Sequence, residues 1–191
     1  MEGNTEGPRD EASAPGRKSL MGGPGSGSIE EKIEAARALF EVWGVRLRED
    51  VRVRALLERL DEKIRASLRV RHALRVVQTC RRCEEQEGGS CCGAGIENRY
   101  DGLLLLINLL LGATLPERRT YTDSCYFLHA EGCCLKARHV LCVNYLCGKL
   151  QRTMAPDDLI TLQAIAGEEL DTGFALYEAI KTRLRLGTGE G

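Results

Sequence analysis

Nine cysteines fall into two clusters of the 191-residue chain: Cys80-Arg-Arg-Cys83 with Cys91-Cys92, then Cys125, Cys133-Cys134, Cys142 and Cys147. A two-residue gap between cysteines lets both sulfurs face one ion from a tight turn, and such pairs recur in zinc and iron–sulfur sites. Glycines at 88, 89, 93 and 95 around Cys91 and Cys92 supply flexible backbone for folding around a centre. The same loop is poor in apolar residues and needs an internal staple to hold its shape. Neighbouring residues of an extended segment project in different directions, so Cys91 and Cys92 suit two centres or a larger cluster better than one mononuclear ion. That favours an iron–sulfur cluster, with zinc close behind because cysteine-only tetrahedral zinc sites are common structural devices. The competing reading is a set of buried free thiols, or disulfides in an oxidising compartment.

The pattern Cys80-x2-Cys83-x7-Cys91-Cys92, followed by Cys125-Tyr126-Phe127-Leu128, Gly132-Cys133, Arg138-x3-Cys142 and Tyr145, resembles the YkgJ-like cysteine-cluster proteins, a family of zinc- or iron-chelating domains. The resemblance spans residues 78–148. The gap before Cys91 is longer than in the family, His139 stands at a family proline, and Leu146 replaces the proline after the tyrosine. By family position the resemblance implies Cys80, Cys83, Cys91, Cys92, Cys125, Cys133 and Cys142 as metal ligands. Cys147 is an eighth candidate by proximity, which leaves Cys134 as the odd thiol. Arg138, four residues before Cys142, is placed to donate hydrogen bonds to thiolate sulfurs and offset their charge. His129 and His139 flank the second cluster as alternative ligands or as ordinary hydrogen-bonded imidazoles. Tyr126, Phe127 and Tyr145 are expected to pack over the centre and exclude water.

The elements that must carry these thiols read as mostly α: a helical domain with a central irregular cysteine-rich metal-binding region. Residues 1–28 are dense in Gly, Pro, Ser and charge and read as a disordered tail. Residues 29–78 carry two amphipathic stripes that read as a helical hairpin. The first is Ile29, Ile33, Ala36, Phe40 and Trp43, opened by a Ser28–Glu31 capping box and ended at Gly44. The second is Val53, Leu57, Leu60, Ile64 and Leu68, continued by Leu74 and Val77 towards Cys80, with Asp50 as a cap. Residues 79–150 form the cysteine-cluster region with one buried helix, the leucine run at 103–111. That run is short of the roughly 20 residues a bilayer needs and carries Asn108. Residues 151–191 form a helical segment from Pro156-Asp157-Asp158 onward, with a break expected at Gly167.

Charge and motif content narrow the function classes. With 27 Lys+Arg against 28 Asp+Glu, no global field draws the chain to nucleic acid or an anionic membrane. Residues 46–83 do hold twelve Arg or Lys against five Asp or Glu. Arg52, Arg59, Lys63, Arg69 and Arg75 could thus line a basic helix for an acidic protein partner. Interspersed acids and the lack of interleaved aromatics argue against nucleic acid, and His72 on that helix reads as solvated. No apolar leader precedes the first helix, so the expected compartment is the cytoplasm. Gly-rich phosphate loops, GxSxG elbows and HExxH motifs are missing. Three functions fit: a metal-binding module with a structural, redox or sensing role, an iron–sulfur-dependent enzyme or enzyme partner, and an interaction protein stapled by metal.

Overall fold

The computed structural model describes residues 27–86 and 91–187. All but the last two residues of the expected N-terminal tail lie outside them. Helix α1 (Ile29–Glu49) opens on the expected capping box: the Glu31 N–H donates to Ser28 Oγ at 3.2 Å, and the Ser28 N–H donates to the Glu31 carboxylate at 2.7 Å. It does not stop at Gly44. That glycine is buried against the Phe40 ring, and the cost of about 1 kcal/mol for a helical glycine is outweighed by the continuing stripe. Asp50 then closes α1 and opens α2 (Val51–Ala73), its carboxylate accepting the Val53 N–H at 2.9 Å.

The second stripe breaks before the first cysteine. Arg75 takes a left-handed φ of 57°, and a separate helix, α3 (Val76–Gln86), carries Cys80 and Cys83. The pair therefore sits on a helix and not in the expected tight turn, because nothing in residues 76–86 interrupts a helix. Three-residue spacing still keeps both thiols on neighbouring positions of one face. A 3-10 turn (Ile96–Arg99) leads into α4 (Gly102–Leu110), capped by Asp101 Oδ1, which accepts the Leu104 N–H at 2.8 Å. α4 ends with Gly112 at φ 80°, its N–H on the Leu109 carbonyl and that of Ala113 on the Asn108 carbonyl, a Schellman closure.

A two-residue antiparallel ladder follows, β1 (Leu128–His129) with β2 (Gly132–Cys133), then the short helices α5 (Val140–Asn144) and α6 (Gly148–Thr153). Helix α7 (Pro156–Gly187) runs through Gly167 without the expected break; a methyl group there would meet nothing within 4 Å.

The two N-terminal stripes are buried mainly by later helices. α1 packs chiefly along α4, and α2 along α7, where the expected hairpin would have closed them on each other. Val53, Leu57, Leu60 and Ile64 meet Leu103, Leu106, Leu176 and Ile180, while Ile29, Ile33 and Ala36 meet Leu105, Tyr100 and Phe127. A leucine buried in this way stabilises by about 1.5–3 kcal/mol, so α4, covered on two sides, anchors the mostly α fold. Among the described residues no helix is long and apolar enough to cross a membrane.

Candidate functional site

Backbone hydrogen bonds bring the cysteine segments together. The Cys125 N–H donates to the Cys92 carbonyl at 2.6 Å and the Ala94 N–H to the Asp123 carbonyl at 3.1 Å, zipping the two clusters side by side. The chain then turns through the ladder, with the Cys134 N–H on the Phe127 carbonyl at 3.0 Å. Asn108 of α4 holds the next stretch: its Nδ2 donates to the Ala137 carbonyl at 2.8 Å, and its Oδ1 accepts the N–H groups of Lys136 and Ala137 at 2.8 and 3.0 Å. Tyr100 holds the one after it. Its hydroxyl accepts the His139 N–H at 2.9 Å and donates to Cys142 Sγ at 3.7 Å. Cys147 is the N-cap residue of α6.

All nine cysteines are free thiols, and their electrostatics show which lie near one another. Burial pushes the Cys80 thiol up, and Cys92, Cys91, Cys147 and Cys83 push it further. Cys91 is raised by burial and then by Cys147 and Cys83, against a hydrogen bond from Tyr145. Burial also drives Cys125 up to about 12, with Cys133, Glu97 and Cys92 adding to it. Cys133 is exposed at its surface, yet the protein packed around it pushes its thiol up to about 12, with Cys134 and Cys92 raising it and Arg138 pulling it down. Cys142 joins through Tyr100, whose hydroxyl is raised by burial and then by Cys142 and Cys133.

Two overlapping groups result: Cys80, Cys83, Cys91 and Cys147 on one side, Cys125, Cys133 and Cys142 on the other, and Cys92 facing both. Cys134 is raised by burial alone, with no second thiol contributing. Among the described residues, no three His, Cys, Asp or Glu side chains are grouped so as to hold a metal ion. The thiols are neighbours and not a closed chelate.

The other expected site residues divide. Arg138 lies close enough to Cys133 to favour its thiolate, and Arg138 Nη2 is buried without a hydrogen-bond partner. His139 caps α5, its Nδ1 accepting the Leu141 N–H at 3.2 Å, and burial lowers its pKa. His129 Nδ1 meets Thr120 Oγ at 3.2 Å, while its Nε2 is buried and unpartnered. Tyr126 and Phe127 are buried in the cluster that holds Cys125; Tyr145 is exposed yet bonds Cys91. His72 is exposed. Of the basic set on and after α2, Arg52, Arg59, Arg69 and Arg75 are exposed, but Lys63 pairs with Glu168 of α7 at 2.5 Å.

Two contributors escape sequence reasoning. Tyr100 carries no motif. Arg71 looks like one more solvated arginine, yet it is buried, its Nε donating to Ser67 Oγ at 3.3 Å and its Nη2 to the Val143 carbonyl. The available signal was its register: Leu57, Leu60, Ile64, Ser67 and Arg71 alternate steps of three and four, the inward face of α2. No family model, curated protein or solved structure matches the chain.

Proposed function

We propose that the eight thiols other than Cys134 bind a transition metal, as an iron–sulfur cluster or as zinc, making the protein a metal-binding module with a structural, redox or sensing role. The supporting observation is that separate chain segments bring thiols near enough for neighbouring sulfurs to push Cys80, Cys91, Cys125 and Cys133 up, beside a buried, unpartnered guanidinium N–H. Gathered thiols of this kind resist ionisation until a cation reverses the balance, when each becomes a thiolate ligand. The donor set is all sulfur and therefore soft, which suits zinc and iron–sulfur and not hard oxygen-seeking cations.

Cys80, Cys83, Cys91, Cys92 and Cys147 would hold one side, and Cys125, Cys133 and Cys142 the other. When bound, zinc supplies a staple for the loops, and an iron–sulfur cluster supplies reversible electron transfer. The chain's own groups tune the sulfurs: Tyr100 donates to Cys142, Tyr145 to Cys91, and Arg138 offsets charge at Cys133. Tyr126 and Phe127 keep water from Cys125. A reducing compartment such as the cytoplasm keeps the thiols available.

Protein purified anaerobically with reductant tests this by elemental analysis and visible absorption, zinc being colourless and iron–sulfur brown. Stoichiometric zinc or iron supports the reading. A reduced, natively folded preparation holding neither metal overturns it.

A further inference from the structure

A cavity of about 260 Å³ opens between α2, α4, α7 and residues 137–140, walled by Leu60, Leu104, Ile107 and Leu170. Two side chains of opposite charge also line it, Arg138 and Glu169. Glu169 is only 3% exposed, and its Oε2 has no hydrogen-bond partner. Arg138 Nη2 is likewise buried and unpartnered, and no ion pair joins the two among the described residues. Arg71 lies near enough to feel Glu169, but its donors go to Ser67 and Val143. The remaining polar group, the Tyr177 hydroxyl, is committed to Asp101 at 2.8 Å.

A buried carboxylate and a buried guanidinium each carry a large desolvation penalty unless an opposite charge meets them. Here Glu169 is buried and Arg138 half-buried with its Nη2 enclosed, both line one cavity, and they do not pair with each other. We infer that the cavity binds a small zwitterion with an apolar side chain, an α-amino acid of the leucine or phenylalanine kind. Its ammonium meets Glu169, its carboxylate meets the planar fork of Arg138, and its side chain lies against Leu60, Leu104 and Ile107. At about 30 Å³ for each water in the liquid, the space matches roughly the nine non-hydrogen atoms of leucine, and the ring of the larger phenylalanine would extend to the open rim. Phe174 and Val140, 69% and 46% exposed, form an open apolar rim for entry. Gly173 leaves one wall without a side chain; a methyl group there would have Leu60 Cδ1 as its nearest neighbour, at 3.8 Å. Arg138 also neighbours Cys133 in the metal reading, whereas Glu169 and the apolar walls play no part in it, so amino-acid binding and metal content are separately measurable.

Calorimetric titration of the full-length protein with L-leucine and L-phenylalanine tests it. Isocaproate, which lacks the ammonium, and isoamylamine, which lacks the carboxylate, are the comparison ligands. Saturable binding of an amino acid is expected, with both single-charge analogues at least tenfold weaker. Glu169→Gln is expected to weaken the amino acid at least tenfold. Gly173→Ala, an easily accommodated change in a helix interior, narrows the cavity and is expected to weaken binding with no loss of Tm, which keeps the test decisive if Glu169→Gln fails to fold. The inference is overturned if neither amino acid binds at millimolar concentration, if the analogues bind as well as leucine, or if a folded variant binds like the wild type.

Discussion

Asn108 and Ala137 exchange two hydrogen bonds across 29 positions of sequence, the amide Nδ2 giving to the Ala137 carbonyl at 2.8 Å and the Ala137 N–H giving to Oδ1 at 3.0 Å. With Lys136 N–H also on Oδ1 and Nδ2 reaching the Leu104 carbonyl at 3.0 Å, the side chain is satisfied although wholly buried. It is the clamp that sets Arg138 next to both Cys133 and the α2–α4–α7 cavity. Asn108→Leu keeps the volume but leaves buried backbone groups of residues 136 and 137 without partners. An unmet buried group costs about 1–3 kcal/mol, so a loss of about 3 kcal/mol is expected in urea unfolding. A loss under about 1 kcal/mol would show that the clamp is dispensable.

How much of this was legible beforehand follows from how local each determinant is. The Ser28–Glu31 box, the Asp50 cap and the leucine run at 103–111 act within a turn or two, and each appears where its residues indicate. The break at Arg75 has no glycine or proline to announce it, and Gly44 and Gly167 announce ends that packing overrides. Cysteine spacing shows which thiols share a segment. Their meeting depends on Cys92 pairing with Cys125 and on Tyr100 and Asn108 catching a distant loop segment, partners with no mark in the sequence.

The corner at Arg75 allows a stability gain. A left-handed conformation costs a side-chain-bearing residue about 1–2 kcal/mol, which glycine avoids at some entropic loss in the unfolded chain. Arg75→Gly is therefore expected to stabilise by about 0.5–1 kcal/mol, whereas Arg75→Val, β-branched, should destabilise by about 1 kcal/mol or more. Urea midpoints at constant m-value report both. A Gly variant less stable than the Val variant would contradict the left-handed corner.

Acid sensitivity should trace in part to Glu97. Burial disfavours its charge, yet hydrogen bonds from Arg119 and from its own and the Gly95 N–H groups win, holding the carboxyl below its ordinary 4.5. Because the folded state binds the proton less readily than the unfolded one, this contribution is present above the ordinary value and is lost as pH falls through the lowered one. Glu97→Gln is expected to cost about 1–3 kcal/mol at neutral pH and to flatten the acid limb of stability against pH below about 4.5. Parallel acid limbs for wild type and variant would show that another group carries the effect.

Thiolate ligation makes its own demands on metal content. Cys80 and Cys83 share one face of α3, so Cys80→Ser with Cys83→Ser removes two neighbouring donors without disturbing the core beneath. That double variant should lose at least half of the bound zinc or iron by elemental analysis, while Cys134→Ser, the one thiol outside the proposed ligand set, should retain it. Protons compete for thiolates, so the wild type should also release metal as pH is lowered, beginning where the thiols of the free protein are already fully protonated. If the Cys80 and Cys83 double variant keeps its full metal content, both leave the ligand set, and the centre must be built from the remaining candidates, Cys91, Cys92, Cys125, Cys133, Cys142 and Cys147.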